Sequence, residues 1–81
     1  MSGKKHMIGK VEKGSIAEQL GLEPGDYLLA VNGNKIEDVF DYRYLTEEEE
    51  LLVLVEKANG EEWELEIEKD YDMDLGIVFA N

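Results

Sequence analysis

Apolar residues change their spacing repeatedly along this chain, and each change marks an element. Met7 to Val11 alternates weakly and predicts a first strand, ended by Gly14. Ser15-Ile16-Ala17-Glu18 reads as a capping box: the Ser15 hydroxyl accepts from the Glu18 amide while the Glu18 carboxylate reaches back to the Ser15 amide. The helix it opens is short, because Gly21 suits the left-handed residue that ends a helix and Leu22 can fold back onto Ile16 or Leu20. Glu23-Pro24-Gly25-Asp26 predicts a turn, with Pro24 presetting φ and Gly25 supplying a positive one. Tyr27 to Val31 follows as a buried strand, Asn32-Gly33 as a tight turn, and Ile36 as the anchor of a short extended piece.

From Asp38, the predicted N-cap, to about Thr46 the pattern turns helical. At about 100° per residue Val39, Tyr42 and Leu45 fall on one side and Phe40 with Tyr44 on the other. A surface helix on a single core needs one apolar face, so the second either packs under another element or lines a groove. Glu47 to Glu50 is a like-charge run that reads as a solvated loop. Leu51 to Lys57 and Glu61 to Lys69 flank Ala58-Asn59-Gly60 and predict a β-hairpin closed by a two-residue type I′ turn. In its second arm Trp63, Leu65 and Ile67 alternate with glutamates, which places Trp63 in the core. The tail, Leu75-Gly76-Ile77-Val78-Phe79, is apolar and β-prone, and the acidic Asp70-Tyr71-Asp72-Met73-Asp74 precedes it.

Composition narrows what such a chain can do. At 81 residues it is one small domain, since a core of this size hides only about 60 to 65% of the unfolded surface. Twenty acidic against eight basic residues give a formal net charge of −12, which repels phosphate backbones and anionic lipid and argues against nucleic acid as a partner. The longest apolar run, Leu51 to Val55, is five residues, against roughly 20 for a membrane span, so no membrane partner is expected. With no cysteine, disulfides and thiolate metal sites are ruled out, which fits a cytoplasmic protein. Residues 1–7 are assigned to a flexible leader, leaving His6 without a role, and residues 8–81 to one domain of a longer protein. No cofactor is expected, and the isolated domain is expected to be a monomer.

The order of these elements resembles the PDZ domains of bacterial high-temperature-requirement and related proteases. The resemblance rests on Gly14-Ser15-Ile16-Ala17, on Gly21-Leu22-Glu23-Pro24-Gly25-Asp26, and on Leu28-Leu29-Ala30-Val31-Asn32-Gly33 with Ile36. It implies an α+β fold: a small, partly open β-barrel or sandwich of five to six strands with two helices. It also implies a binding module that takes a peptide as an added strand. In that family the loop whose amides hold a terminal carboxylate resembles Leu75-Gly76-Ile77 here, so the groove-forming strand comes last and the strand order is circularly permuted. The binding residues this implies are Leu75, Gly76, Ile77, Val78 and Phe79 on one wall. The opposite wall is the second helix, through either Phe40 with Tyr44 or Val39 with Arg43.

Asp72 and Asp74 stand just before that loop, where negative charge opposes a carboxylate. The groove is therefore expected to take an internal strand, a hairpin or a part of its own polypeptide. The opening through Gly33 with Asp38 and Tyr42-Arg43, and the ending Asp74-Leu75-Gly76, are similar to the N-terminal PDZ-like part of bacterial radical-SAM-type iron–sulfur proteins of unknown function. That similarity implies a structural or docking domain whose groove its own parent protein fills.

Two other chemistries fit less well. Asp70, Asp72 and Asp74 have the alternate spacing that opens a calcium loop, but Leu75 stands where a glycine is required and Asn81 where a bidentate glutamate is expected. Paired-carboxylate catalysis carries no signal in a chain this acidic, and a Ser–His pairing has only His6 to draw on. The domain itself is expected not to be an enzyme.

Overall fold

In the computed structural model, which describes residues 6–80, a hydrogen-bonding device marks most of the breaks in the sequence pattern. Strand β1 (His6–Val11) begins one residue ahead of the expected strand, so His6 and Met7, both assigned to the leader, belong to the sheet; residues 1–5 lie outside the described residues. Helix α1 (Ile16–Gln19) is capped by Ser15, whose Oγ accepts from the Glu18 amide at 3.2 Å. The reciprocal arm differs from expectation. The Glu18 carboxylate takes the Gly14 amide at 2.7 Å, while the Ser15 amide donates to the Glu12 carbonyl. Gly14 has φ +78°, and its left-handed conformation turns its own N–H toward the helix mouth ahead of that of Ser15. At the other end the Leu22 amide bonds the Ala17 carbonyl and the Gly21 amide the Glu18 carbonyl. This paired closure buries Leu22 beneath the helix.

Strand β2 (Tyr27–Val31) leaves the Pro24-Gly25 turn already bound to β1, because the Gly25 amide donates to the Ile8 carbonyl and the Ile8 amide to the Asp26 carbonyl. Asn32 and Gly33, both at positive φ, turn the chain into the two-residue β3 (Asn34–Lys35). Helix α2 (Val39–Leu45) has Asp38 as its N-cap, with the Asp41 amide donating to Asp38 Oδ1 at 2.9 Å. Strands β4 (Glu50–Glu56) and β5 (Glu62–Glu68) form the expected hairpin, with Leu51, Val53 and Val55 opposite Ile67, Leu65 and Trp63.

The hairpin turn itself corrects the type I′ expectation. Gly60 has φ +95° but Asn59 does not have a positive φ, and the Gly60 amide closes on the Lys57 carbonyl. The loop is thus a turn of ordinary hand followed by a left-handed glycine. Its geometry leaves the Ala58 amide outside the ladder, and Asp26 takes it.

Strand β6 (Ile77–Phe79) completes a six-stranded antiparallel sheet in the order β5-β4-β2-β1-β6, with β3 hydrogen-bonded to β2. The buried core runs through Ile8, Leu28, Val31, Val53 and Val55 of the sheet, and Ala17, Tyr42, Leu75 and Ile77 join it from the helices and the tail. Trp63 is half-buried, not fully inside: one edge of its ring meets Gly21 and the Lys57 ammonium lies 4.5 Å from its centroid. A sheet, two helices and this core make the α+β fold the sequence predicts. Among the described residues no helix is long and apolar enough to cross a membrane.

Candidate functional site

An open groove of about 650 Å³ lies between α2 and β6 and is lined as well by residues 71–74. The helix contributes Val39, Tyr42, Arg43 and Thr46, the spacing of a single helical face, and the strand contributes Ile77, Val78 and Phe79.

Strand β6 is an edge of the sheet. The Glu12 amide bonds the Gly76 carbonyl at 2.8 Å and the Ala80 amide bonds the Met7 carbonyl at 2.9 Å, so both ends of β6 face β1. Backbone groups alternate in direction along a strand. Ile77 and Phe79 therefore present N–H and C=O on the outer edge, which no other described strand covers. Their side chains turn the other way from that of exposed Val78: Ile77 is buried, and Phe79 packs edge-on against Tyr42 with centroids 5.0 Å apart.

The two candidate helix faces separate cleanly. Val39 and Arg43 line the groove, whereas Phe40 and Tyr44, each 77% exposed, lie on the outer face away from it. Leu75 is 2% exposed and belongs to the core, where its carbonyl accepts from the Ala17 amide. Gly76 lies against Ser15: at φ +90°, a Cβ placed there would stand 2.2 Å from the Ser15 Cβ. This glycine is thus required by the capping residue of α1, independently of any ligand. Its amide donates to Asp74 Oδ1 at 3.1 Å.

Tyr42 lines the groove from the helix side. Its ring is buried and its hydroxyl has no hydrogen-bond partner, an arrangement seldom left in a folded protein. Burial holds the phenol well above its ordinary pKa, the nearby Asp74 carboxylate pushes the same way, and Arg43 partly opposes both. Glu47, Asp72 and Asp74 line the same groove as Arg43, and Tyr71 and Met73 add exposed apolar surface. The acidic segment is held by a turn, with the Met73 amide on the Asp70 carbonyl and the Lys69 ammonium on the Asp70 and Tyr71 carbonyls. Among the described residues no group of three or more His, Cys, Asp or Glu is arranged to hold a metal ion, so Asp70, Asp72 and Asp74 do not converge.

Sequence reading overlooked Thr46, Glu47, Tyr71 and Met73 as groove residues and placed Tyr42 on one face of the helix with Val39 and Leu45 without a groove role. The available signal was the recurrence of Val39, Tyr42, Arg43 and Thr46 at one helical face, blurred because Phe40 and Tyr44 make an equally apolar stripe. It also overlooked a second polar site. Asp26 and Lys57 are both buried, and Lys57 Nζ lies 2.5 Å from Asp26 Oδ2. Asp26 accepts as well from the Glu23 and Ala58 amides, and the Lys57 ammonium donates to the Gly21 carbonyl. Burial alone would raise the Asp26 pKa, but its bonds from Lys57 and the two amides outweigh that and hold the carboxyl below its usual value.

Residues 7–57 match the family model described as PDZ domain, a stretch that covers β1 through β4 and ends before the acidic loop and β6. With more than half the chain matched, and with six strands and two helices around one core among the described residues, this protein belongs to the PDZ domain family.

Proposed function

We propose that the groove takes an extended protein or peptide segment as an added strand along β6, its alternate side chains directed between β6 and α2. The observation that carries this reading is the open outer edge of β6, with Ile77 and Phe79 turned toward a groove walled by a helix. An exposed apolar edge invites pairing with another chain, so a segment that completes the sheet removes a liability as well as making a complex. The contacting residues are Ile77, Val78 and Phe79 with Val39, Tyr42 and Arg43, while Leu75 and Gly76 set the strand's entry.

In this reading the groove strand is the last of the fold, a circularly permuted arrangement relative to PDZ domains that carry it early. The domain binds and does not catalyse. A second version, in which the parent protein fills the groove in cis, uses the same edge; the parent is read as a radical-SAM-type iron–sulfur protein whose redox chemistry lies in another segment.

Titration of the labelled domain with capped extended peptides, followed by amide chemical shifts, tests the strand-addition reading. The largest shifts and slowed hydrogen exchange are expected at the Ile77 and Phe79 amides. Shifts confined to β3 and β5, on the far side of the sheet, would overturn it. Repeating the measurement with the remainder of the parent protein, linked and added separately, distinguishes docking in cis from recruitment in trans.

A further inference from the structure

We propose that the segment this groove selects is an internal one carrying a cationic side chain, a lysine ammonium or arginine guanidinium seated between Asp74 and the Tyr42 hydroxyl, and not a chain-terminal carboxylate. The inference rests on the strand-addition reading above and adds the chemistry of the occupant.

The first reason lies at the head of β6. The Gly76 amide, at the centre of the Leu75-Gly76-Ile77 loop, already holds Asp74 Oδ1 at 3.1 Å. The protein thus supplies its own carboxylate where a chain terminus would place one. A second carboxylate brought there loses a donor and meets a like charge.

The second reason is the unpartnered hydroxyl. Tyr42 is 6% exposed, its oxygen is buried without a hydrogen-bond partner, and it lines the groove together with Asp74. A buried hydroxyl is nearly always bonded in a finished structure. An ammonium or guanidinium can donate to its oxygen and to the free lone pairs of Asp74 together. The phenol proton then remains for a carbonyl of the bound segment.

Charge completes the case. Glu47, Asp72 and Asp74 line the groove against Arg43 alone, and among the described residues none of these four is joined in an ion pair. The whole chain carries a net charge of −12. A cationic segment gains from both, while an acidic one is repelled at the mouth.

The test uses decapeptide pools, acetylated and amidated at their ends and random at all positions but one. The fixed central position is lysine, arginine, norleucine or glutamate, and a further norleucine pool keeps a free C-terminal carboxylate. Binding to the 81-residue chain is read by amide shifts on β6. The lysine and arginine pools are expected to bind about tenfold more tightly than capped norleucine, with the glutamate pool weakest. Asp74→Asn leaves an oxygen for the Gly76 amide but removes the charge, and is expected to erase most of that preference. Tyr42→Phe keeps the ring against Phe79 and is expected to reduce the preference by about threefold to tenfold.

Tightest binding by the free-acid pool, with the Gly76 amide shifting most, would overturn the proposal. So would equal binding of lysine and norleucine pools at β6, an outcome that leaves strand addition standing. If no pool perturbs β6, strand addition fails and the cation site fails with it. An Asp74→Asn variant that retains the full lysine preference refutes the seat even if the preference is real.

Discussion

Asp26 and Tyr42 are both buried polar side chains, 1% and 6% exposed, in opposite surroundings. Asp26 accepts from two backbone amides and an ammonium, and that ammonium is in turn bonded to the Gly21 carbonyl and lies against the Trp63 face. Tyr42 lines an open groove and has a buried hydroxyl to which nothing bonds. The first arrangement ties α1, the Pro24-Gly25 turn and the β4–β5 hairpin together at one point. The second leaves a polar group desolvated without compensation. In a domain this small, a fully satisfied buried pair marks what holds the fold, whereas an unsatisfied group adds nothing to it.

Removing Asp26 breaks the comparison most severely. Asp26→Ala leaves the Lys57 ammonium buried and unpaired and frees two amides, at an expected cost of about 3 to 5 kcal/mol, a large part of the stability of a small domain. Urea unfolding should show the loss as a much lower midpoint; a change under about 1 kcal/mol would mean that Lys57 escapes to solvent.

Next in size is the β6 entry. Gly76→Ala puts a Cβ into Ser15 at a left-handed φ, with an expected cost of about 2 to 4 kcal/mol from strain and overpacking. Adding Ser15→Gly should recover the packing share but not the φ share. A double-mutant cycle showing simple additivity would contradict the contact.

The pH response of Asp26 comes next. Its folded pKa lies below the ordinary 3.8, so on acidification the unfolded chain takes up the proton first. The stabilisation is therefore complete above the usual carboxylate pKa and is lost as pH falls through the lower folded value. Unfolding free energies of the native protein and Asp26→Asn, measured at neutral pH and in steps below about pH 4, should converge as pH falls. A gap that stays constant would assign the difference to packing.

The smallest expected effect is the most telling about Tyr42. Because its hydroxyl has no partner, Tyr42→Phe should leave stability unchanged or raise it by up to about 2 kcal/mol. A loss of more than about 1 kcal/mol on thermal or urea unfolding would show that the hydroxyl is bonded in solution.

Much of the N-terminal half was legible in the sequence because its devices are local. The Ser15 cap, the Gly21 stop, the Pro24-Gly25 turn and the Asn32-Gly33 turn each act over a few residues, and a short window of side chains states them. The local reading failed where two geometries share one composition. Ala58-Asn59-Gly60 supports either a two-residue turn or a longer one with a single left-handed glycine, and Asp26, far away in sequence, takes the amide that the longer turn leaves free. Phe40 with Tyr44 and Val39 with Arg43 likewise offered two faces of one helix, and periodicity has no means to choose between them.

What the sequence determined by itself was the list of elements, their order, the antiparallel hairpin and the likeness to a binding fold, since hydrophobic period and turn chemistry are properties of neighbouring residues. Only the tertiary structure decided that Val39 and Arg43 face the groove while Phe40 and Tyr44 face away. It likewise decided that Gly76 is demanded by Ser15, that Lys57 pairs with Asp26, and that the Tyr42 hydroxyl is left without a partner. Each of these depends on atoms brought together from distant positions in the chain, and burial and hydrogen-bond satisfaction exist only once that packing has formed.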